Sequence, residues 1–150
     1  MRIPSPTDCP YFLVSRASLA VTSALKQALT EAGVKHVRPA YLGVLMSLWN
    51  EDGLKVVELG RRAGLEPSTM TGLIDRMEAD ELVQRMDDPD DRRAHRIHLT
   101  HAGIKAKEPV LEVVDSTLNK ALKGIGEKDL IHMKKILRRV LQNAREEDQA

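Results

Sequence analysis

Apolar residues recur every three or four positions along most of the chain, which is the spacing of amphipathic helices. The helices that this spacing predicts cover residues 12–32, 39–49, 56–63, 67–80 and 100–122, and a last one carries residues 130–144. Pro109 should kink the helix at 100–122, because proline lacks a backbone donor and crowds the preceding turn. Residues 82–86 and 95–99 read as two short strands around a polar loop at 87–94. The pattern therefore predicts a mainly α-helical fold with a small two- or three-stranded β-structure.

Two short helices in the middle of the chain carry the spacing of a helix-turn-helix. Gly60 is small enough to let the helices cross closely, and Gly64 can take positive φ in the turn between them. One face of the second helix is apolar, through Met70, Leu73, Ile74 and Met77. The other face presents Ser68, Thr69, Thr71, Gly72, Asp75 and Arg76. Such a surface can enter a major groove closely, and the alternative is an ordinary helical hairpin with a solvated face.

Composition excludes several classes of protein. The longest uncharged run has 12 residues, at 39–50, whereas a membrane-spanning helix needs about 20. No basic segment precedes an apolar one at the N-terminus, so we expect no secretory signal, and one cysteine fits a reducing cytoplasm. His95, His98 and His101 lack the partners that would complete a metal site, so no metal or cofactor is expected. The sequence has no Ser-His-Asp set, HExxH motif or phosphate loop, which indicates that the protein is not an enzyme.

Charge is distributed unfavourably for a strong nucleic-acid binder. The formal net charge of the chain is +1, but residues 55–101 hold eight basic and ten acidic side chains, a net of −2. DNA-binding surfaces are usually basic. Tight binding would therefore require several arginines to share one face, and the candidates are Arg61, Arg62, Arg76, Arg92 and Arg93.

The hairpin and its flanks carry a more specific pattern. A helix-turn-helix followed by a hairpin with a basic tip is a winged helix. The stretch LVQRMDDPDDRRAHRIHLTHAG resembles the wing of the multiple-antibiotic-resistance regulator (MarR) family, through Asp91-Arg92-Arg93 and the later Leu99-Thr100-His101-Ala102-Gly103. The second helix of the helix-turn-helix, which corresponds to the recognition helix of that family, matches through Ser68, Thr69, Thr71, Asp75 and Arg76. The resemblance spans about residues 12–145. The departures from it are Gly72, where the family often has arginine, and Asp80-Glu81, where it usually has glycine.

The resemblance implies a cytoplasmic transcriptional regulator, commonly a repressor, that acts as a homodimer on double-stranded DNA. Residues 12–36 and 100–147 would form the helical dimerisation region, and residues 37–99 the winged helix-turn-helix that binds DNA. Carried over by position, the major-groove contacts would come from Ser68, Thr69, Thr71 and Arg76. Arg93 and Arg92 would reach the minor groove, with Asp91 orienting an arginine. The apolar spacing of the end helices fits either an intersubunit seam or a core within one chain.

Family members commonly release DNA when a small aromatic or phenolic anion binds between the two regions. Candidate effector-binding residues are His36, Arg38, Tyr41, Met46 and Trp49, which offer a cation, a hydroxyl and apolar walls. The alternative is that Met46 and Trp49 belong to the core and Arg38 is solvated. Some members keep a peroxide-sensing cysteine near the position of Cys9, but here no cation close in sequence would stabilise its thiolate. The acidic middle segment keeps a second function open, a dimeric winged-helix interaction module without specific DNA binding.

Overall fold

The structure is a computed structural model that describes residues 2–34 and 36–148, with side chains up to residue 145. Its helices are α1 (Pro10–Glu31), α2 (Leu42–Asn50), α3 (Val56–Ala63), α4 (Pro67–Ala79), α5 (His101–Lys105), α6 (Lys107–Ala121) and α7 (Glu127–Asp148). Its strands are β1 (Leu54–Lys55), β2 (Val83–Asp88) and β3 (Asp91–Leu99), and a 3₁₀ turn at Pro39–Tyr41 leads into α2. The predicted mainly α-helical fold with a small sheet is confirmed. None of the described helices is long and apolar enough to cross a membrane.

The chain divides into two compact units, Met1–Thr117 and Leu118–Ala150. The first unit holds the apolar core, to which α1, α2, the helix-turn-helix, the sheet and α6 all contribute. The predicted apolar face of α4 lies in that core, because Met70, Leu73, Ile74 and Met77 are each at most 2% exposed. Burying an aliphatic side chain contributes roughly 1.5–3 kcal/mol, so this face alone holds α4 firmly against the rest of the unit.

Glycines set the geometry of the helix-turn-helix as the spacing predicted. Gly64 ends α3 in the left-handed conformation, with φ at 68°, and its N–H bonds back to Gly60 O. Gly60 is buried at the crossing of α3 and α4. A Cβ there would lie 3.1 Å from Met70 Cγ and 3.2 Å from Leu65 O. A larger side chain at this position would therefore push the two helices apart.

The wing is a three-stranded antiparallel sheet in the order β1-β3-β2. β2 and β3 pair from Val83↔Leu99 to Asp88↔Asp91, with a bulge between Asp87 and Asp88. The prediction of a polar loop at 87–94 was therefore wrong, since only Pro89 and Asp90 connect the strands. Pairing of the backbones holds this ribbon together even where its side chains are polar and exposed, and alternation of apolar residues does not reveal such strands.

The helix after the wing is divided differently from the prediction of a single helix kinked at Pro109. α5 ends at Lys105 and α6 begins at Lys107, with Ala106 between them. Pro109 is the third residue of α6, where an N–H has no partner within the helix and its absence costs nothing. The predicted kink is in fact a break three residues earlier, and Pro109 belongs to the first turn of the new helix.

The second unit is dominated by α7, which begins with the acidic residues Glu127 and Asp129 in its first turn. Acidic residues at this end favour the helix because they complement its dipole. Several large apolar side chains of α7 are exposed, namely Ile131, Ile136, Leu137, Val140 and Leu141. A helix whose apolar stripe is exposed in the single chain needs a partner for that stripe.

Candidate nucleic-acid interface

The N-terminal half of α4 presents hydroxyls to the solvent. Ser68, Thr69 and Thr71 are exposed, and the Thr71 hydroxyl donates to Pro67 O at 3.4 Å. One turn later Arg76 is exposed, and its Nη1 lies 3.6 Å from the place that a Cβ of Gly72 would occupy. The departure at position 72 therefore leaves room for the Arg76 guanidinium to lie along the helix surface.

Arg85, which the sequence reasoning missed, ties α4 to strand β2. Its Nη2 donates to Asp75 Oδ1 at 2.6 Å, and its Nη1 donates to Glu78 Oε1 at 2.7 Å. Its backbone N–H also donates to Glu78 Oε2 at 3.0 Å. Two of the acidic charges of α4 are thereby paired with a cation of the wing. Charge-assisted bonds of this kind fix the orientation of the helix relative to the strand.

The tip of the wing carries two exposed arginines. Asp91 Oδ1 accepts the backbone N–H of Arg93 at 2.9 Å, so its carboxylate shapes the start of β3. Arg92 and Arg93 are exposed, and neither forms an ion pair with a residue that the structure describes. The tip therefore offers two available guanidinium groups beside a carboxylate that is used by the backbone.

The other two candidate arginines are engaged within and next to α3. Arg61 and Arg62 both donate to Glu58, and Arg62 also donates to Glu51 at 2.8 Å. The hydrogen bonds from Arg61 and then from Arg62 lower the pKa of Glu58 to about 2. These two arginines are therefore partly neutralised before any ligand approaches, unlike Arg76, Arg92 and Arg93 among the described residues.

The residue after α4, Asp80, is held by two of the predicted effector-binding residues. The Tyr41 hydroxyl donates to Asp80 Oδ2 at 2.5 Å, and Arg38 Nε lies 3.8 Å from the same oxygen. Tyr41 is fully buried, and burial together with the bond to Asp80 raises its pKa to about 12. An acidic residue at a helix C-terminus opposes the dipole, and these two partners offset that effect.

The remaining predicted effector-binding residues lie in different surroundings. Trp49 is half-buried and donates from Nε1 to Gly103 O at 2.9 Å, Met46 is 36% exposed, and His36 is exposed. Of the five predicted residues, only Arg38 lines the nearby cavity of about 490 Å³. That cavity is otherwise lined by residues of α1 and of the segment before α2, namely Thr22, Lys26, Thr30, Val37, Pro39 and Ala40.

The same arrangement of helices and wing occurs in known proteins. The sequence model of the MarR family matches residues 39–95 of this chain. The organic hydroperoxide resistance transcriptional regulator of Bacillus subtilis (strain 168) is 30% identical over 131 residues, which cover 87% of this chain and 86% of that protein. The chain belongs to the MarR family. The HTH-type transcriptional repressor MdtR of Bacillus subtilis (strain 168) is 32% identical over 72% of this chain and 70% of its own length.

A solved structure also matches most of the chain. CouR from Rhodococcus jostii RHA1, bound to p-coumaroyl-CoA, is 28% identical, covers 93% of this chain and 96% of its own, and superposes with a TM-score of 0.77. The chain is thus a MarR-family transcriptional regulator with a DNA-binding winged helix, not an enzyme.

The structure also explains the MarR motif that follows the wing. Thr100 caps α5 by accepting the N–H of Gly103 at 3.0 Å, and its hydroxyl donates to Glu81 O at 2.5 Å. A Cβ on Gly103 would come under 3.0 Å from Leu82 O, a separation that Cβ atoms essentially never show. The threonine and the glycine of the motif therefore fasten α5 to the end of the helix-turn-helix. The sequence resemblance identifies this motif, but only the structure shows why a threonine and a glycine are required there.

Proposed function

We propose that this MarR-family regulator is a repressor that binds a pseudo-palindromic operator as a homodimer. The observation that carries the proposal is the exposure of Arg76 on α4 and of Arg92 and Arg93 on the wing, without ion pairs among the described residues. In a winged helix, a helix in the major groove and a wing beside it would use these positions. Ser68, Thr69 and Thr71 would add hydrogen bonds to bases or phosphates, and Asp91 would orient the wing arginines.

We infer further that residues 12–36 and 100–147 form the dimer and that residues 37–99 bind DNA. Lys35 and the side chains of 146 and 147 lie outside the described residues. Exposed apolar side chains on α1, such as Phe12 and Leu19, and on α7, such as Leu137 and Val140, support this assignment. Two recognition helices of a dimer would reach half-sites about 34 Å apart. Leu137→Asp should dissociate the dimer in sedimentation equilibrium, whereas an unmutated protein that sediments at 16.7 kDa would contradict it.

Binding to DNA fragments from upstream of the gene, measured by fluorescence anisotropy over a range of salt, tests the DNA contacts. Three available arginines per subunit would neutralise six phosphates per dimer, so log K should fall with log salt with a slope of about −5. Arg93→Ala should cost about 1–3 kcal/mol and relax the preference for A·T-rich flanks. Arg61→Ala is the matched control, because Glu58 already holds Arg61. It should weaken all sequences alike and by less.

If Arg93→Ala and Arg76→Ala both bind like the parent, the DNA contacts are assigned wrongly. A parent that binds neither upstream nor arbitrary DNA would instead favour the interaction-module function. In that case the acidic residues of the middle segment would face a protein partner.

We also propose that a small aromatic or phenolic anion releases the DNA. The cavity beside Arg38 offers the cations of Arg38 and Lys26, two threonine hydroxyls and apolar walls. This cavity can hold a ligand with one carboxylate and one ring, whereas Tyr41 and Trp49 are packed against the rest of the chain and leave less room for one. Salicylate, titrated while Trp49 fluorescence and DNA affinity are followed, should weaken DNA binding in the parent and not in Arg38→Ala. Unchanged fluorescence and affinity across a panel of such anions would contradict the effector.

A further inference from the structure

Asp88 is the most deeply buried acidic residue of the wing. It is 3% exposed as a residue, and its side chain is fully covered, although it lies beside the exposed tip. Its Oδ1 accepts the N–H of Asp90 at 2.9 Å, which closes the two-residue turn between β2 and β3. A buried carboxylate is costly unless cations and hydrogen bonds compensate it, so the surroundings of Asp88 require an explanation.

Two cations supply the compensation at the second oxygen. Lys55 Nζ and Arg96 Nε each lie 3.4 Å from Asp88 Oδ2, an oxygen that accepts no hydrogen bond from the described residues. Both cationic side chains are partly open to solvent, at 47% and 36% exposure. The bond to Asp90 N–H first, and then the charges of Arg96 and Lys55, hold the pKa of Asp88 below its ordinary value against the effect of burial. The carboxylate is therefore ionised at neutral pH.

These cations belong to elements that adjoin the helix-turn-helix and form the wing, the two parts of the proposed DNA-binding surface. Lys55 is the residue immediately before α3, the first helix of the helix-turn-helix. Arg96 lies on β3 opposite Lys55 and donates from Nη1 to Gly53 O at 2.9 Å. Asp88, on β2, thus lies against one cation from each of the other two strands, and its single negative charge is shared between two groups that are partly open to solvent.

We propose that Asp88 is a specificity-determining residue of the wing, which withholds Lys55 and Arg96 from the DNA backbone while it positions the tip. Phosphate contacts raise affinity for every sequence alike, whereas contacts to bases and to groove shape discriminate between sequences. A carboxylate that engages two cations therefore lowers non-specific binding and leaves Arg92 and Arg93 to act where groove shape is read. The proposal rests on the proposed DNA-binding function.

Asp88→Asn tests the proposal, because it removes the charge and keeps the oxygen that accepts the Asp90 N–H. The probe is a short fluorescein-labelled duplex of arbitrary sequence, titrated by anisotropy in increasing KCl. Each cation that reaches a phosphate should steepen the slope of log K by about 0.9, so four per dimer would add up to about 3.6. Non-specific binding should tighten by roughly eightfold per new contact at 0.1 M salt, which is the factor that this slope implies.

Asp87→Asn is the matched control, since it makes the same change of charge one residue away. The Asp87 side chain is 89% exposed and its Oδ1 lies 3.4 Å from His95 Nδ1, so the loss of its charge frees neither Lys55 nor Arg96. It should leave the slope unchanged. Circular dichroism of both variants establishes that they fold.

Lys55→Gln keeps the test decisive even if Asp88→Asn does not fold. In the parent this substitution should leave the slope unchanged, because the ion pair with Asp88 already keeps Lys55 away from phosphates. In the Asp88→Asn background it should reverse part of the steepening. A slope that falls by about 1.8 on Lys55→Gln in the parent would mean that Lys55 already contacts phosphates, and this would overturn the proposal. So would a folded Asp88→Asn with an unchanged slope. A parent that binds no DNA at any salt would refute the proposed function instead.

Discussion

The replacement of Gly103 by alanine should be among the most damaging single-methyl changes in this regulator. A Cβ at position 103 would lie under 3.0 Å from Leu82 O and 3.1 Å from Leu99 Cδ2. The first of these neighbours is backbone and cannot rotate away. The Gly103 peptide also donates to the Thr100 hydroxyl and accepts from Trp49 Nε1, so any shift strains both bonds.

The magnitude follows from opposing effects. Overpacking of this kind costs typically about 1–3 kcal/mol, and each strained hydrogen bond adds about 1 kcal/mol. Alanine recovers roughly 0.5–1 kcal/mol in a helix because glycine loses more backbone entropy on folding. We therefore expect Gly103→Ala to lower the free energy of unfolding by roughly 2–4 kcal/mol, a large share of the about 5–15 kcal/mol that is typical of proteins.

Gly72→Ala is the control, because it makes the same substitution in α4, where the new Cβ would meet only Arg76 Nη1 at an ordinary 3.6 Å. It should raise stability by roughly 0.5–1 kcal/mol. Urea unfolding, followed through the single tryptophan at fixed protein concentration, measures both changes as shifts of midpoint. Equal shifts of the same sign for the two variants would refute the steric argument, and so would a stable Gly103→Ala.

Two further predictions concern Tyr41 and Glu81. The folded protein holds the Tyr41 proton up to a pKa of about 12, against 10.0 for the ordinary group. The stabilisation by the protonated Tyr41 hydroxyl is therefore complete below pH 10 and is lost as the pH rises to about 12. The urea midpoint of the parent should fall over this range, and this part of the fall should be absent from Tyr41→Phe. Glu81, two residues after the end of α4, has φ at 60°, in the left-handed region that favours glycine. Glu81→Gly should thus stabilise the protein by up to about 1 kcal/mol, and a lower urea midpoint would contradict this reasoning.

The helices of this chain could be predicted from sequence because their apolar faces and their glycines act locally. Met70, Leu73, Ile74 and Met77 form a stripe that only the core can bury, and they are buried. Gly64 must take positive φ to end α3, and it does. The extent of the wing could not be predicted in this way. β2 and β3 are held at their tip by backbone pairing and by Asp88. Asp88 is one of four aspartates in a short stretch, and nothing in the sequence shows that it is the buried one.

The candidate interface was predictable where a motif carried it and not where distant side chains meet. Ser68, Arg76 and Arg93 were found by position in a family pattern, and the structure leaves all three exposed. The pairing of Tyr41 with Asp80 joins residues 39 positions apart, and no local periodicity reports such a contact. For the same reason chemistry alone predicts Tyr41 as a candidate effector-binding residue, although its hydroxyl already donates to Asp80.

The acidic residues that make the middle segment, residues 55–101, negatively charged have a structural role that the net charge does not show. Outside α3, the described ion pairs between acids and arginine or lysine join different elements. Asp75 and Glu78 bind a cation of β2, Asp80 faces the segment before α2, and Asp88 holds cations of β1 and β3. These acids therefore hold elements of the winged helix together, and their charges are largely compensated by cations within it. The electrostatic surface that DNA would meet is set by the cations left over, because a paired charge is already compensated by a neighbour a few ångströms away. A segment with a net charge of −2 can accordingly present a cationic edge.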